Sequence, residues 1–316
     1  MTEKPDRPET PFIMERLLRE SLRTEKAMEF ATEDEFIAAV DEENLIAQRK
    51  QSLAEDPKEM AQELAFQAYE SAESDAALDL VTKSLDLDPT CVDSLTVQAF
   101  LVSEDAGTLV ATLEQILTVA EANLGEEFFA EYMGDFWPMV EARPYMRTVK
   151  QLAEVLWTVG RRFDAVAHYE NLIDLDPEDH MGNASLLLGY YLSMGEVQRS
   201  WDLLEEFDDE QNTVCAWAWV LIFLITGDEE AAVDGLKQAM ELNPYVASLL
   251  VGVDENPTAE VPPFFTVGSS EEARYTVQVI GEAWERAGEA QWWLHNVLVE
   301  LGLIEVDDED EGLTPN

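Results

Sequence analysis

Apolar residues recur three or four positions apart along much of the chain, which is the pattern of helices with one buried face. Residues 11–26 are predicted to form a first helix, with an apolar face of Phe12, Met14, Leu17, Leu18 and Leu22. A capping box, in which Glu35 follows Thr32 by three residues, predicts the start of a second helix. The apolar face of this second helix consists of Phe36, Ile37, Val40, Leu45 and Ile46.

The same end signal occurs three times in the middle of the chain. A Leu, then Asp or Asn, then Pro closes a predicted helix at Pro89, Pro177 and Pro244. An Ala precedes each proline by twelve residues, and a Gly precedes the last two by seventeen; these are Ala77, Ala165, Ala232, Gly160 and Gly227. Proline cannot donate the N–H that continues a helix, and glycine adopts positive φ after one. The pattern predicts a helix, a Gly turn, and a second helix that has Ala at a close crossing and stops at Pro.

The spacing of the prolines gives a period. Pro177 and Pro244 are 67 residues apart, close to two repeats of about 34 residues. Pro89 and Pro177 are 88 residues apart, which leaves an excess of about 20 residues over two repeats. The excess predicts an insertion, and the segment 126–145 is interrupted by glycine and proline as an insertion would be.

This pattern resembles the tetratricopeptide repeat, a helix–turn–helix unit of about 34 residues. The best copy lies at 146–179, where the residues that match the motif are Leu152, Ala153, Leu156, Gly160, Ala165, Tyr169 and Pro177. Further copies lie at 180–212 and 213–246, and weaker ones at 58–91 and 92–125. The resemblance implies an all-α, tetratricopeptide-type helix–turn–helix solenoid with helical N- and C-terminal extensions. It also implies that the first helix of each unit lines a concave groove.

A narrower resemblance covers about 130–295. The segment 136–147, Phe-Trp-Pro-Met-Val-Glu-Ala-Arg-Pro-Tyr-Met-Arg, is similar to a signature of bacterial tetratricopeptide proteins related to the suppressor of tumorigenicity 7 family. The segment 243–250 and the pairs Val261-Pro262 and Gly268-Ser269 are similar to later parts of that signature. This resemblance implies a helical repeat fold and no catalytic residues. Animal members of the family are membrane-associated, a property that we do not transfer because no spanning helix is predicted.

The predicted organisation has six parts. They are an N-terminal helical extension (1–57), two degenerate repeats (58–125), an insertion (126–145), three repeats (146–246), a C-terminal helical cap (247–305) and an acidic, disordered tail (306–316). The cap is predicted to contain one helix from Ser269 or Ser270 to about Ala287 and another over about 289–303. Terminal helices of this kind cover the exposed ends of a repeat stack.

Charge narrows the choice of partners. The 316 residues include 67 acidic and 19 basic side chains, which give a net charge of −48, and 47% of the residues are hydrophobic. This composition supports a folded core. Nucleic acids and anionic membranes would be repelled, so we expect neither as a partner. Two explanations of the acidity are open: a saline cytoplasm, in which salt screens the repulsion, or a basic partner.

The cysteines and the apolar segments favour a cytoplasmic protein. Cys91 and Cys215 lie in apolar helical patterns and are too few for a disulfide scaffold, so we expect buried thiols in a reducing compartment. The N-terminus lacks the apolar core of a secretory signal. The longest uncharged apolar run, 214–225, has twelve residues and is shorter than the roughly 20 that a spanning helix needs.

Motifs for catalysis are absent from the sequence. It contains no phosphate-binding loop, no serine-hydrolase elbow and no zinc-protease motif. The three histidines, His168, His180 and His295, are isolated. The segment 178–180, Glu-Asp-His, has two interpretations, a weak metal site or a solvated turn, and the turn is favoured. We expect no enzymatic activity, no cofactor and no bound metal.

One short segment is basic in this acidic chain. Five basic residues, opposed only by Glu154, lie between positions 143 and 162: Arg143, Arg147, Lys150, Arg161 and Arg162. The repeat resemblance implies that Arg147, Lys150 and Trp157 line the groove, where they would clamp a carboxylate or an acidic segment. The alternative is that the basic residues pair with the chain's own carboxylates and that Trp157 packs in the core.

The candidate partner-binding residues are therefore Arg147, Lys150, Trp157, Arg143 and Trp217, the last at a groove position of another repeat with core packing as the alternative. We expect a non-enzymatic scaffold that binds a protein or peptide through its concave groove. The alternative function is an acidic, chaperone-like protein whose surface binds basic partners as a polyanion would. The insertion residues Phe136 and Trp137 have two open interpretations, packing or recognition, and the oligomeric state is open.

Overall fold

The structure, a computed structural model, describes residues 12–27, 37, 40, 42–207, 212–252, 261–262 and 264–304. Sixteen α-helices and no β-strand occur in this part of the chain, which confirms the predicted all-α class. Most of the helices pack in neighbouring pairs, as in a helical repeat protein. The chain divides into two compact units, Met1–His180 (unit 1) and Met181–Asn316 (unit 2).

Unit 1 begins with two helices that precede the repeats, α1 (Ile13–Ala27) and α2 (Glu42–Glu55). Three helix pairs follow: α3 (Pro57–Glu70) with α4 (Ser74–Leu87), α5 (Val92–Val102) with α6 (Ala106–Leu124), and α8 (Arg143–Thr158) with α9 (Arg162–Leu175). Between α6 and α8 lies the short helix α7 (Glu126–Tyr132), within the segment predicted as an insertion. The first helices of the three pairs are neighbours, since α5 packs on both α3 and α8.

Unit 2 contains two more pairs, α10 (Asn183–Met194) with α11 (Val197–Phe207) and α12 (Thr213–Thr226) with α13 (Glu229–Leu242). Three helices follow them: α14 (Tyr245–Leu250), α15 (Ser270–Arg286) and α16 (Ala290–Glu300). The helix α15 packs on the first helices of both pairs, α10 and α12.

The helix boundaries follow from proline and glycine. The helices α4, α9 and α13 end at Leu87, Leu175 and Leu242, each two residues before a proline. The residue before proline is disfavoured in the helical conformation, so the helix stops there. Within two of the pairs, Gly160 and Gly227 have φ of 82°, a left-handed conformation that favours glycine. These local signals explain why the predicted stops and turns coincide with the observed ones.

Alanines allow the two helices of a pair to approach closely. Ala77, Ala165 and Ala232, which the repeat pattern assigns to the crossing, are each 0% exposed. A methyl side chain lets the opposing helix approach, and larger neighbours fill the remaining space.

Aromatic packing anchors the insertion. Phe136 is fully buried, and its ring centroid lies 5.5 Å from that of Phe128, 5.1 Å from that of Phe129 and 6.3 Å from that of Tyr145. Its backbone N–H donates to the carbonyl oxygen of Leu175 at 3.1 Å. For Phe136, the packing interpretation therefore holds.

The N-terminal helices differ from the prediction in the face that they bury. Met14, assigned to the apolar face of the first helix, is 77% exposed, whereas Phe12 and three polar residues are buried: Glu15, Glu20 and Thr24. Hydrogen bonds and ion pairs to polar neighbours hold this polar face inside. In the predicted second helix Leu45 is buried, but Ile37 and Ile46 are exposed. The capping-box residues Thr32 and Glu35 lie outside the described residues, as do Phe36 and the predicted tail 306–316.

The close approach of α10 and α15 gives a test of unit 2. A Cβ atom added at Gly189 would lie 2.2 Å from the carbonyl oxygen of Val279, so the two backbones are nearly in contact. We expect Gly189→Ala to lower the free energy of unfolding by about 2–3 kcal/mol, because one helix must move. Urea unfolding followed by circular dichroism measures this change.

Gly235→Ala is the matched control on a neighbouring helix. Its added Cβ would lie 3.5 Å from the nearest atom, a side-chain carbon of Val220, which is an ordinary contact. Alanine favours the helix over glycine by up to about 1 kcal/mol, so this variant should be as stable as the wild type or more so. Equal destabilisation by both substitutions would contradict the close crossing.

Candidate functional site

Arg147 is the predicted site residue with the most contacts. It lies in the second turn of α8, and its guanidinium holds Asp93 of α5 in a two-point contact, with Nε to Oδ1 at 3.0 Å and Nη2 to Oδ2 at 2.6 Å. Asp93 is 0% exposed and also accepts from Nε2 of Gln62 at 2.6 Å. A buried carboxylate needs such partners, so Arg147 and Asp93 join α8 to α5.

A third contact of Arg147 comes from α1. Nη1 of Arg147 lies 2.6 Å from Oε2 of Glu15, which is 6% exposed. Burial alone would lower the pKa of Arg147, but the charges of Asp93 and Glu15 outweigh burial and raise it. The guanidinium therefore stays charged, and it already binds the carboxylates of two other helices.

The helix α3 presents a row of carboxylates to α1. The row begins at the N-cap of α3, and its residues follow one another three or four positions apart, so that they share one helix face. Together with Asp93 and Arg147 they form a surface that we call the first-helix groove: Asp56, Glu59, Glu63, Phe66, Glu70, Asp93 and Arg147.

Three arginines of α1 pair with this row in antiparallel order. Arg16 reaches Glu63 (Nε–Oε2, 3.0 Å) and Glu70 (Nη1–Oε1, 2.7 Å). Arg23, two turns later, reaches Glu59 (Nη2–Oε1, 3.1 Å). Arg19 lies between them; its Nη1 is 3.6 Å from Glu59, and its Nη2 donates to the carbonyl oxygen of Val140 at 3.1 Å.

Phe12 anchors the beginning of α1. Its ring stacks on Phe66 with centroids 4.4 Å apart and also contacts Tyr69 at 5.4 Å. Its backbone N–H donates to Oε1 of Glu70 at 3.1 Å. The guanidinium of Arg147 lies 5.0 Å from the Phe12 centroid, within range of a cation–π interaction. The aromatic contacts of Phe12 and a set of ion pairs therefore join α1 to α3 and α8.

Two carboxylates of the groove, Glu63 and Glu70, remain ionised because of these pairs. Burial alone would raise the pKa of Glu63, but hydrogen bonds from Arg49 of α2 and from Arg16 outweigh it and lower the pKa. Glu70 follows the same pattern, with burial opposed by hydrogen bonds from Arg16 and from the Phe12 N–H, and its pKa is also lowered. Glu63 and Glu70 thus carry negative charge on α3, and Arg147 carries a positive charge on α8.

Arg143 does not line this surface. It is 7% exposed, its guanidinium lies 4.2 Å from the ring centroid of Trp137, and its Nε donates to the carbonyl oxygen of Trp137. Trp137 also contacts His180, whose ring is nearly parallel at 5.7 Å and whose Nδ1 lies 2.7 Å from Oδ1 of Asp176. Arg143 therefore packs on Trp137, and Trp137 in turn packs on the turn after α9.

Lys150 and Trp157 lie farther along α8. Lys150 is half-buried; burial lowers its pKa, and the charges of Glu154 and Asp179 act in the opposite direction. The ring of Trp157 is half-buried under the guanidinium of Arg162, 4.4 Å from its centroid. The basic residues of 143–162 thus make separate local contacts and do not form one continuous positively charged surface.

The assignment of Trp217 as a partner-binding residue is wrong. This side chain is 0% exposed, and its ring packs edge-on against Trp284 of α15 with centroids 6.0 Å apart. It is buried because α15 covers the first helices of unit 2. The residues that cover α10 and α12 lie more than 50 positions later in the chain, so the repeat pattern around Trp217 did not indicate them.

The sequence reasoning missed the acidic row and its arginines. The signal was present as arginines at positions 16, 19 and 23 and as acidic residues at 56, 59, 63 and 70, each set at helical spacing. Charged residues at that spacing normally lie on the solvent side of a helix, which hid the signal.

Within the described residues, no group of three or more His, Cys, Asp or Glu side chains is arranged to hold a metal ion. No helix among them has the length and apolarity needed to cross a membrane. The sequence matches no known protein-family model and no curated protein at a significant level. The case for a function therefore depends on the geometry of the first-helix groove.

Removal of Arg147 should destabilise unit 1. We expect Arg147→Ala to lower the free energy of unfolding by about 3 kcal/mol, because Asp93 would remain as a buried charge without its main counter-ion. Arg161→Ala is the control: Arg161 pairs with Glu114 and Asp164, but its side chain is 47% exposed, so a loss below about 1 kcal/mol is expected. Urea titrations of both variants measure the difference, and equal losses would contradict the structural role of Arg147.

Glu63→Gln should give a pH-dependent loss of stability. At pH 7 we expect a loss of about 2 kcal/mol, since Glu63 accepts hydrogen bonds from charged Arg16 and Arg49. Its folded pKa is lowered, so its contribution is complete above the unfolded pKa of roughly 4.3 and disappears as the pH falls through the lowered folded value.

The measurement is the difference in unfolding free energy between wild type and Glu63→Gln across the acidic pH range. This difference should be constant from about pH 8 to about pH 5 and should decrease as the pH falls further, through the lowered folded pKa of Glu63. Glu104→Gln, at an exposed residue before α6, is the control and should show no difference at any of these pH values. A Glu63→Gln difference that persists at the lowest pH would contradict the ionised state of the groove.

Proposed function

We propose that this chain is a non-enzymatic, tetratricopeptide-type scaffold that binds another protein through the first-helix groove of unit 1. The supporting observation is that α3 and α8 already bind a helix that belongs to none of the pairs. Arg147 of α8 binds Glu15 of α1, and it also binds Asp93 of α5, so that α8 is joined to both helices. A surface that recognises one helix through charged side chains has the chemistry to recognise another.

The absence of catalytic motifs and the family resemblance both favour a scaffold over an enzyme. A cytoplasmic location is part of the proposal, because the thiols of Cys91 and Cys215 are both buried and form no disulfide, as in a reducing compartment. The resemblance to the tetratricopeptide family remains a prediction that this proposal includes.

A second function, the acidic chaperone-like protein, is favoured by the net charge of −48. In that case, the whole exterior would attract basic proteins, and no particular carboxylate would matter. The two functions differ in their dependence on single groove residues, which an experiment can separate.

The test is affinity capture from native lysate at physiological salt. The bait is the full chain with Phe12→Ala and Arg16→Ala, which weakens the hold of α1 and leaves every groove residue in place. We expect a set of proteins that is lost when Glu63→Gln is added to the bait, because the groove then lacks one of its main carboxylates.

A bait that carries Glu230→Gln in place of Glu63→Gln is the matched control, since Glu230 is an exposed carboxylate of unit 2. Loss with Glu63→Gln alone supports groove binding. Recovery of the same basic proteins by every bait would instead support the second function. Recovery of no protein by any bait would count against both.

A further inference from the structure

Each unit covers its first helices with another helix of the same chain, but the two covers are held differently. In unit 2, α15 buries apolar side chains, among them Ile280, Ala283 and Trp284, and its backbone nearly touches α10 at Gly189. In unit 1, Phe12, just before α1, is fully buried, while Leu17, Leu18 and Leu22 of α1 are half-buried. The buried apolar contacts of α15 do not depend on charge, whereas the contacts of α1 depend on the sign and the spacing of the charges that face it.

The orientation of α1 supports this difference. Ile13 and Met14 are 64% and 77% exposed, while Arg16 and Arg19 lie against α3 with side chains 16% and 10% exposed. A helix that belongs permanently to a core normally buries its apolar residues. The side of α1 that faces α3 is charged and carries Glu15, Arg16, Arg19 and Arg23, which we call the charged stripe. A helix buries charged residues in this way when the surface that binds it is itself charged.

The inward stripe has a defined spacing. Starting from Phe12, a carboxylate follows at the third position and arginines at the fourth, seventh and eleventh, namely Glu15, Arg16, Arg19 and Arg23. The carboxylates of α3 follow in the opposite direction with the same alternation of three and four residues. Each of these arginines thus lies near a carboxylate of α3, whereas Glu15 pairs with Arg147 of α8.

Arginine suits this surface better than lysine. Arg16 holds both carboxylate oxygens of Glu70, at 2.7 and 2.9 Å, with two nitrogens of one guanidinium. The guanidinium groups of Arg16 and Arg19 also lie 5.3 and 5.7 Å from the ring centroid of Phe66. A planar guanidinium makes the two-point contact and the ring contact together, whereas an ammonium group makes neither as well.

The charge of the surface excludes the acidic ligand that the basic segment suggested. Arg147 can accept one carboxylate, at the position of Glu15, whereas four acidic residues follow along α3: Asp56, Glu59, Glu63 and Glu70. A second ligand carboxylate beside this row would be repelled. The groove therefore fits a helix that is basic except near its aromatic end.

We infer that α1 is an exchangeable occupant of the first-helix groove, and that the partner is an amphipathic helix with the same stripe: Phe, a carboxylate three residues later, and arginines four, seven and eleven residues later. This inference rests on the proposed function and names its partner. Such a helix can bind only after α1 has left the groove. The more tightly α1 is held, the weaker the apparent affinity for the partner becomes.

The test uses a fluorescent peptide of residues 10–27 and purified full chains. Fluorescence anisotropy compares the wild type with the Phe12→Ala, Arg16→Ala chain, in which the groove is intact and its occupant is weakened. We expect saturable binding to the variant, and binding at least about tenfold weaker to the wild type, because the wild-type α1 competes. Binding to the variant should weaken as salt rises.

Three peptide controls examine the stripe. A peptide with Arg16→Ala and Arg19→Ala should bind at least about tenfold more weakly, because it loses its contacts to α3. A peptide with Ile13→Ala and Met14→Ala should bind within about twofold of the parent, because those side chains face solvent. A scrambled peptide of the same composition should not bind.

Other outcomes would overturn the inference. If the variant keeps a cooperative thermal transition and binds no peptide, α1 is a permanent part of the fold; a groove-dependent set from lysate would then still support the proposed function. If the scrambled peptide binds equally well, attraction is to the acidic surface in general. Should the double variant fail to fold, a chain with the single change Arg19→Ala replaces it. This chain should again bind the peptide more tightly than the wild type, but by a smaller factor.

Discussion

The ion pair between Arg147 and Asp93 is the interaction on which the arrangement of unit 1 depends. Asp93 is fully buried, so its charge requires a counter-ion wherever α5 packs on α8. Arg147 supplies this counter-ion, and another nitrogen of its guanidinium binds Glu15 of α1. One side chain thus fixes the positive end of the first-helix groove, and the carboxylates of α3 give the rest of the surface the opposite sign.

This polarity connects the chain's composition with its candidate site. With a net charge of −48 the chain has few basic residues, and the arginines of α1 and α2 contact the carboxylates of α3. Without Arg16, Arg23 and Arg49, these neighbouring carboxylates would repel one another. The arginines of α1 therefore stabilise unit 1 and, at the same time, define the chemistry that another helix would need in order to replace them.

The helix pairs could be predicted because their signals are local. Proline stops, positive-φ glycines and alanines at the crossings act within a few residues, and each is visible in the sequence. The inward face of α1 could not be predicted from periodicity, which assigns burial to Leu17 and Leu18 before Arg16 and Arg19. Trp217 was misassigned for a related reason. Whether a side chain at a groove position is exposed in unit 2 depends on α15, which lies more than 50 residues after Trp217 in the sequence. Arg147 was identified from its charge, but its partners required the packing of α1 and α5.

The positions of the two covering helices in the chain have a consequence for synthesis on the ribosome. The helix α1 emerges before the surface that it covers, and α15 emerges after its own. Domains generally fold from the N-terminus as they are made. Unit 1 can therefore close over its acidic row as soon as α8 has left the ribosome, whereas α10 and α12 keep their apolar faces uncovered until α15 has also been translated. The apolar second unit is thus the part of the nascent chain that most needs protection from aggregation.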